Sequence, residues 1–99
     1  MYKMLLFVRK SDDQNVEKHF RDFTLPILNE LTGKQIRTAE IESSLLVDQK
    51  YKLFCEVAVD SKDKWDKLMA SEKGRKLNKD LADNHRSIDI IFVKYDEEL

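Results

Sequence analysis

Residues 2–10 read YKMLLFVRK. Successive side chains alternate across a strand, so Met4, Leu6 and Val8 share one face and Leu5 and Phe7 the other. Both faces are apolar, and the segment therefore needs cover on both sides. The same doubling recurs twice. Tyr51 to Val59 sets Leu53, Cys55, Val57 and Val59 against Phe54 and Ala58, and Ser87 to Tyr95 sets Ile88, Ile90 and Phe92 against Ile91 and Val93. A fourth stretch, Ile36 to about Val47, has a simpler period of two, with Ala39, Ile41, Leu45 and Val47 on one face and Thr38, Glu40, Glu42 and Ser44 on the other. That alternation predicts an edge strand, turned at Asp48 to Lys50.

Two helices separate these strands. After Ser11-Asp-Asp-Gln14, where Ser11 or either aspartate can cap a helix, Val16, Phe20, Phe23, Ile27 and Leu31 recur at spacings of three and four. Pro26 lacks an amide hydrogen and its ring crowds the carbonyl of Asp22, so a kink or break is expected near Asp22 to Leu25. Gly33 closes the helix as its C-cap. Asp60 or Ser61 caps a second helix carrying Trp65, Leu68 and Met69; Ser71 can cap again, Gly74 weakens the helix there, and Leu77 and Leu81 continue the stripe to about Asp83.

The order strand, helix, strand, strand, helix, strand predicts an α+β, ferredoxin-like βαββαβ domain over residues 1–99, a four-stranded antiparallel sheet with its helices on one face. Helices can cover only one side of such a sheet, yet three of its strands are apolar on both. A second copy packed sheet to sheet about 10 Å away is the economical cover, so a homodimer is expected.

Composition narrows the function. The chain has 99 residues, 41% of them apolar and 37% charged, with 18 basic side chains balancing 19 acidic ones. That balance lacks the electrostatic footprint of a nucleic-acid binder. No stretch approaches the roughly 18–20 apolar residues of a membrane span, and the apolar N-terminus is too short for a signal peptide, so no membrane partner and a cytoplasmic location are expected. With one cysteine, Cys55, no internal disulfide can form. The two histidines, His19 and His85, lack the spacing of a metal site on one helix, so no metal is expected.

Two segments carry a family resemblance. NVEKHFRDFTLPIL (15–28) resembles the aromatic-x3-His-x-Pro helix of the EthD-like proteins within the dimeric α/β-barrel superfamily, with Phe20 at the aromatic position, Thr24 at the histidine position and Pro26 as the proline. FCEVAVDSKDKWDKLMASEKGRKLNKDLADNH (54–85) resembles that family's strand ending in an acidic residue, helix, Ser-x-x-Gly joint and second helix with an aspartate, the places of Ser71, Gly74 and Asp80 or Asp83. The resemblance implies a dimeric α/β barrel holding a small ligand between helices and sheet, and a cofactor-independent oxidoreductase or monooxygenase as one possible activity. Threonine at position 24 can neither act as a base near neutral pH nor ligate haem. His19, five residues earlier, is about 500° around an α-helix and falls on a different face.

Candidate site residues follow. Glu56 is an isolated charge in a strand that otherwise reads as central, sharing a face with Phe54 and Ala58; it is either half of an ion pair or a pocket carboxylate acting as general base. His19 and Thr24 are the other candidates for polar chemistry, Phe20, Phe23 and Trp65 for shaping a small apolar or aromatic ligand, and Arg9 and Arg37 for meeting a carboxylate or an anionic ligand. Two alternatives stand beside an enzyme: a non-catalytic ligand-binding or accessory homodimer, and a haem-handling relative served only by His19 or His85.

Overall fold

A computed structural model describes residues 1–96. In chain order it contains β1 (Tyr2–Arg9), α1 (Gln14–His19), a π-helical turn (Phe20–Thr24), α2 (Leu25–Thr32), β2 (Thr38–Glu40), β3 (Tyr51–Val59), α3 (Lys62–Ala70), α4 (Glu72–Asp83) and β4 (Ile88–Lys94). The strands form one antiparallel sheet in the order β2-β3-β1-β4, the expected ferredoxin-like arrangement.

Strand register sorts the two faces. Met4 lies opposite Val57 and Phe92, and Leu6 opposite Cys55 and Ile90, and this face packs with Phe20, Leu28, Trp65, Leu77 and Leu81 of the helices into one core. Leu6, Leu28 and Leu77 are completely buried, each such side chain contributing about 1.5–3 kcal/mol of transfer free energy. On the opposite face Leu5 lies against Glu56 and Ile91, and Phe7 against Phe54 and Asp89. No helix covers that side among the described residues, and Ile91 keeps 50% of its surface exposed.

The anticipated kink takes a specific form. The chain does not break before Pro26; it widens, with the Leu25 amide donating to the Phe20 carbonyl five residues back. Pro26 supplies no donor and crowds the carbonyl of Asp22, which favours this longer-reaching turn. Gly33 ends α2 in the left-handed conformation, φ 68°, with its amide donating to the Asn29 carbonyl. Ser71 separates α3 from α4, and its hydroxyl accepts from the Gly74 amide at 3.1 Å.

One expectation about the strands needs correction. The edge strand is only three residues long, not the span from Ile36 to Val47. The Ile41 amide still reaches the Lys52 carbonyl, but the Gln49 side chain then donates to the Ile41 carbonyl and accepts from the Tyr51 amide, taking groups a longer ladder would use. Leu45 and Leu46 beyond it are 95% and 89% exposed. Register also slips between Val8 and Arg9, a bulge that makes Tyr51 the partner of Arg9 and leaves Lys52 as the extra residue. Lys52 pairs with Glu40 at 2.7 Å, while Tyr51 packs its ring on Phe7 at 5.0 Å.

Candidate functional site

The π-helical turn decides what His19 and Thr24 can reach. In an unbroken α-helix, positions five apart diverge, but a turn closed over five residues brings them into register. Both side chains converge on one carboxylate. His19 Nε2 lies 2.6 Å from Asp80 Oδ1, and the Thr24 hydroxyl donates to Asp80 Oδ2 at 2.6 Å. The separation expected from α-helical geometry is thereby corrected. Thr24 is fully buried and Asp80 nearly so, whereas the His19 side chain stays 40% exposed.

An ionised carboxylate only accepts hydrogen bonds, so Nε2 of His19 must carry the proton aimed at Asp80. The tautomer is thus set, and Nδ1 is left without a protein partner among the described residues. Asn84 completes the cluster by donating from Nδ2 to the Asp80 carbonyl at 2.8 Å and to Oδ1 at 3.3 Å. Every buried polar side-chain atom among the described residues is satisfied. The His19 ring stacks on Phe23, centroids 5.1 Å apart with planes 25° from parallel. Together with Lys76, Lys79, Asp83 and Asn84 they line a groove of about 380 Å³ between the first helical segment and α4.

The structure does not gather the other expected site residues here. Phe20 and Trp65 are core residues, 1% and 5% exposed, with Trp65 set against Phe92 at 6.1 Å. They fill the middle of the space between helices and sheet; a cleft of about 360 Å³ remains at its edge, between Val8 and Arg9 of β1, Val16 and Glu17 of α1 and Lys52 of β3, whereas the groove beside His19 lies between helices. Glu56 projects from the helix-free face, where Lys3 Nζ lies 3.4 Å from both its carboxylate oxygens, so it does not share a pocket with His19. Arg37 is exposed and shares with Glu56 a separate cleft of about 260 Å³ at the β3 edge that the short β2 leaves bare. Arg9 makes a two-pronged contact with Asp89, 2.7 and 3.2 Å, and Tyr51 donates to the same carboxylate at 2.6 Å. Burial pushes the Cys55 thiol up to about 12, which keeps it protonated and unreactive. His85 takes a capping position, with Nδ1 2.9 Å from the Ala82 carbonyl.

Asp80 is the pivotal group, and periodicity does not pick it out because the apolar stripe of α4 is read from Leu77 and Leu81. Of the two aspartates in the family-like run, Asp80 is buried and Asp83 is exposed. No group of three or more histidine, cysteine or carboxylate side chains that could hold a metal occurs among the described residues. No helix among them is long and apolar enough to cross a membrane.

No family model matches the chain, and no curated protein matches it in sequence. Solved structures do match. An ethyl tert-butyl ether D (EthD) family protein of Bacillus halodurans superposes with a TM-score of 0.81 at 18% identity, over 96% of this chain and 98% of that one. A protein of Arabidopsis thaliana gives 0.66 at 16% identity, over 100% and 97%. A protein of Agrobacterium tumefaciens gives 0.51 at 15% identity, over 94% and 90%. At these identities the likeness is one of fold: the chain has the ferredoxin-like fold of an EthD family protein along nearly its whole length.

Proposed function

We propose that this chain is an EthD-like small-molecule-binding protein, active as a homodimer, with its ligand in the groove beside His19. The observation that carries the reading is the buried Asp80 carboxylate, held by Thr24 and Asn84 and directed at His19 Nε2. A carboxylate so placed fixes an imidazole in one tautomer and orientation, and proton uptake at Nδ1 turns the contact into an ion pair. This is the geometry of a positioned general acid or base that needs no cofactor. The uncovered sheet face, with Leu5, Phe7, Phe54 and Ile91, is the surface for the second copy. A single buried thiol agrees with a reducing compartment such as the cytoplasm.

Small molecules released from the purified protein and identified by mass spectrometry test the ligand. A compound retained by the wild type and lost from His19→Ala, both prepared in parallel, is expected. Identical small-molecule profiles from the two proteins would remove the groove from consideration. Catalysis separates from plain binding at the next step: once identified, that compound should be turned over by the wild type and bound but not converted by His19→Gln.

A further inference from the structure

We infer that the groove selects a small planar organic anion, a conjugated carboxylate, phenolate or enolate, with Lys76 and Lys79 holding the negative charge; this rests on the groove being a ligand site. Lys73 on the same helix pairs with Glu30 at 3.3 Å, and Lys18 on α1 pairs with Asp22 at 2.6 Å. Lys76 and Lys79 form no ion pair among the described residues, although both line the groove. Lys76 Nζ instead sits 5.3 Å from the centre of the Phe23 ring, the ring that stacks on His19.

Each contact restricts the ligand. Phe23 and His19, stacked on each other, give the groove an aromatic lining that favours a ring-bearing ligand, and a groove of about 380 Å³ has room for a molecule of one or two rings. Of the two carboxylates lining the groove, Asp80 is buried with its oxygens taken up by His19, Thr24 and Asn84, so the charged groups that a ligand in the groove meets are Asp83 and the two ammonium groups. Charge-assisted hydrogen bonds from lysine to a ligand oxygen are stronger than neutral ones, so an anion gains most from this lining. The arrangement also suits proton transfer. When Nδ1 takes a proton from a ligand O–H or an activated C–H, the bonding electrons stay on the ligand as a phenolate or enolate beside the two lysines. The resulting imidazolium faces Asp80, and the proton returns in the reverse step.

Two probes of equal shape test this with the full chain: 2-naphthoate and the neutral 2-naphthamide, followed by calorimetry and by the ring-nitrogen NMR signals of His19. His85, bonded to the Ala82 carbonyl, is the internal control. Tighter binding of 2-naphthoate by about tenfold is expected, with the His19 signals moving and those of His85 still. In the doubly exchanged Lys76→Met, Lys79→Met protein that preference should disappear, with the far-ultraviolet circular dichroism unchanged because both positions are exposed. Equal affinity for the two probes in the wild type, with His19 still responding, would overturn the anion preference and leave the groove as a ligand site. A preference that survives in the Met variant would overturn the role of the lysines. No response of His19 to either probe would overturn the ligand class and the site together.

Discussion

The hydroxyl of Thr24 and the carboxylate of Asp80, 56 positions apart in the chain, meet at 2.6 Å inside the protein. Neither has water as an alternative partner: Thr24 is fully buried and Asp80 is 6% exposed. Their bond therefore ties the π-helical turn to α4 and, through the other oxygen of Asp80, sets the imidazole of His19. Removing a donor from a buried acceptor leaves it unsatisfied, which costs about 1–3 kcal/mol. Thr24→Val, close in shape but without the hydroxyl, should lower unfolding stability by that amount in urea titrations, and Thr24→Ser should retain most of it. Equal stability of the valine variant and the wild type would contradict this account.

Element order was legible because burial on both faces of β1, β3 and β4 leaves a distinctive alternation, and because Asp13, Gly33, Ser61 and Ser71 punctuate the helices as local chemistry demands. The candidate site was legible only in pieces. His19 and Thr24 were each visible, but their meeting depends on one wide turn, and α-helical angles place them apart. Parity places Glu56 on the face of Phe54 and Ala58, as the register has it, yet nothing local says which face the helices cover. The lost end of β2 depends on the Gln49 side chain answering backbone groups eight and two residues away. Such competition between side chain and ladder is invisible to periodicity.

Gly74 has a role beyond interrupting a helix. A Cβ placed on it would stand 2.2 Å from the Leu68 carbonyl oxygen and 2.4 Å from the Met69 Cα, both backbone atoms of α3 that cannot swing aside. The close approach lets α4 turn directly off α3 and bring Asp80 beneath His19. Gly74→Ala should therefore destabilise the protein by at least the roughly 1–3 kcal/mol of an overpacked core, despite alanine's better helix propensity. A thermal melt settles it: an unchanged or raised midpoint would show that α3 and α4 can separate freely.

On the helix-free face, the Arg9 guanidinium, aided by the Tyr51 hydroxyl, holds the Asp89 carboxyl below its ordinary value. A carboxyl whose folded value is depressed contributes stability above its unfolded value of about 3.9, and that contribution is lost as pH falls through the lower folded value. Asp89→Asn should thus be less stable than the wild type at pH 7, with the gap closing below about pH 4. Urea midpoints for both proteins between pH 7 and pH 2.5 provide the check. A gap that stays constant across this range would mean that the asparagine acts by packing, not by charge.

Sheet-to-sheet association makes the sharpest demand on the helix-free face. Ile91 lies beside Leu5 there and is half exposed in the single chain, so a copy packed against this face would bury it. A charge at such a point typically costs about 2 kcal/mol or more of binding free energy, or about thirtyfold in dissociation constant. Ile91→Lys should shift the protein from dimer to monomer in light scattering over the micromolar range, while Ala82→Lys, which adds the same charge to the exposed side of α4, should leave the dimer intact. Wild-type stability should also rise with protein concentration, and that dependence should vanish in Ile91→Lys. A wild type that stays monomeric at every concentration would require another cover for Leu5, Phe7, Phe54 and Ile91, and would remove the second copy from the proposed function.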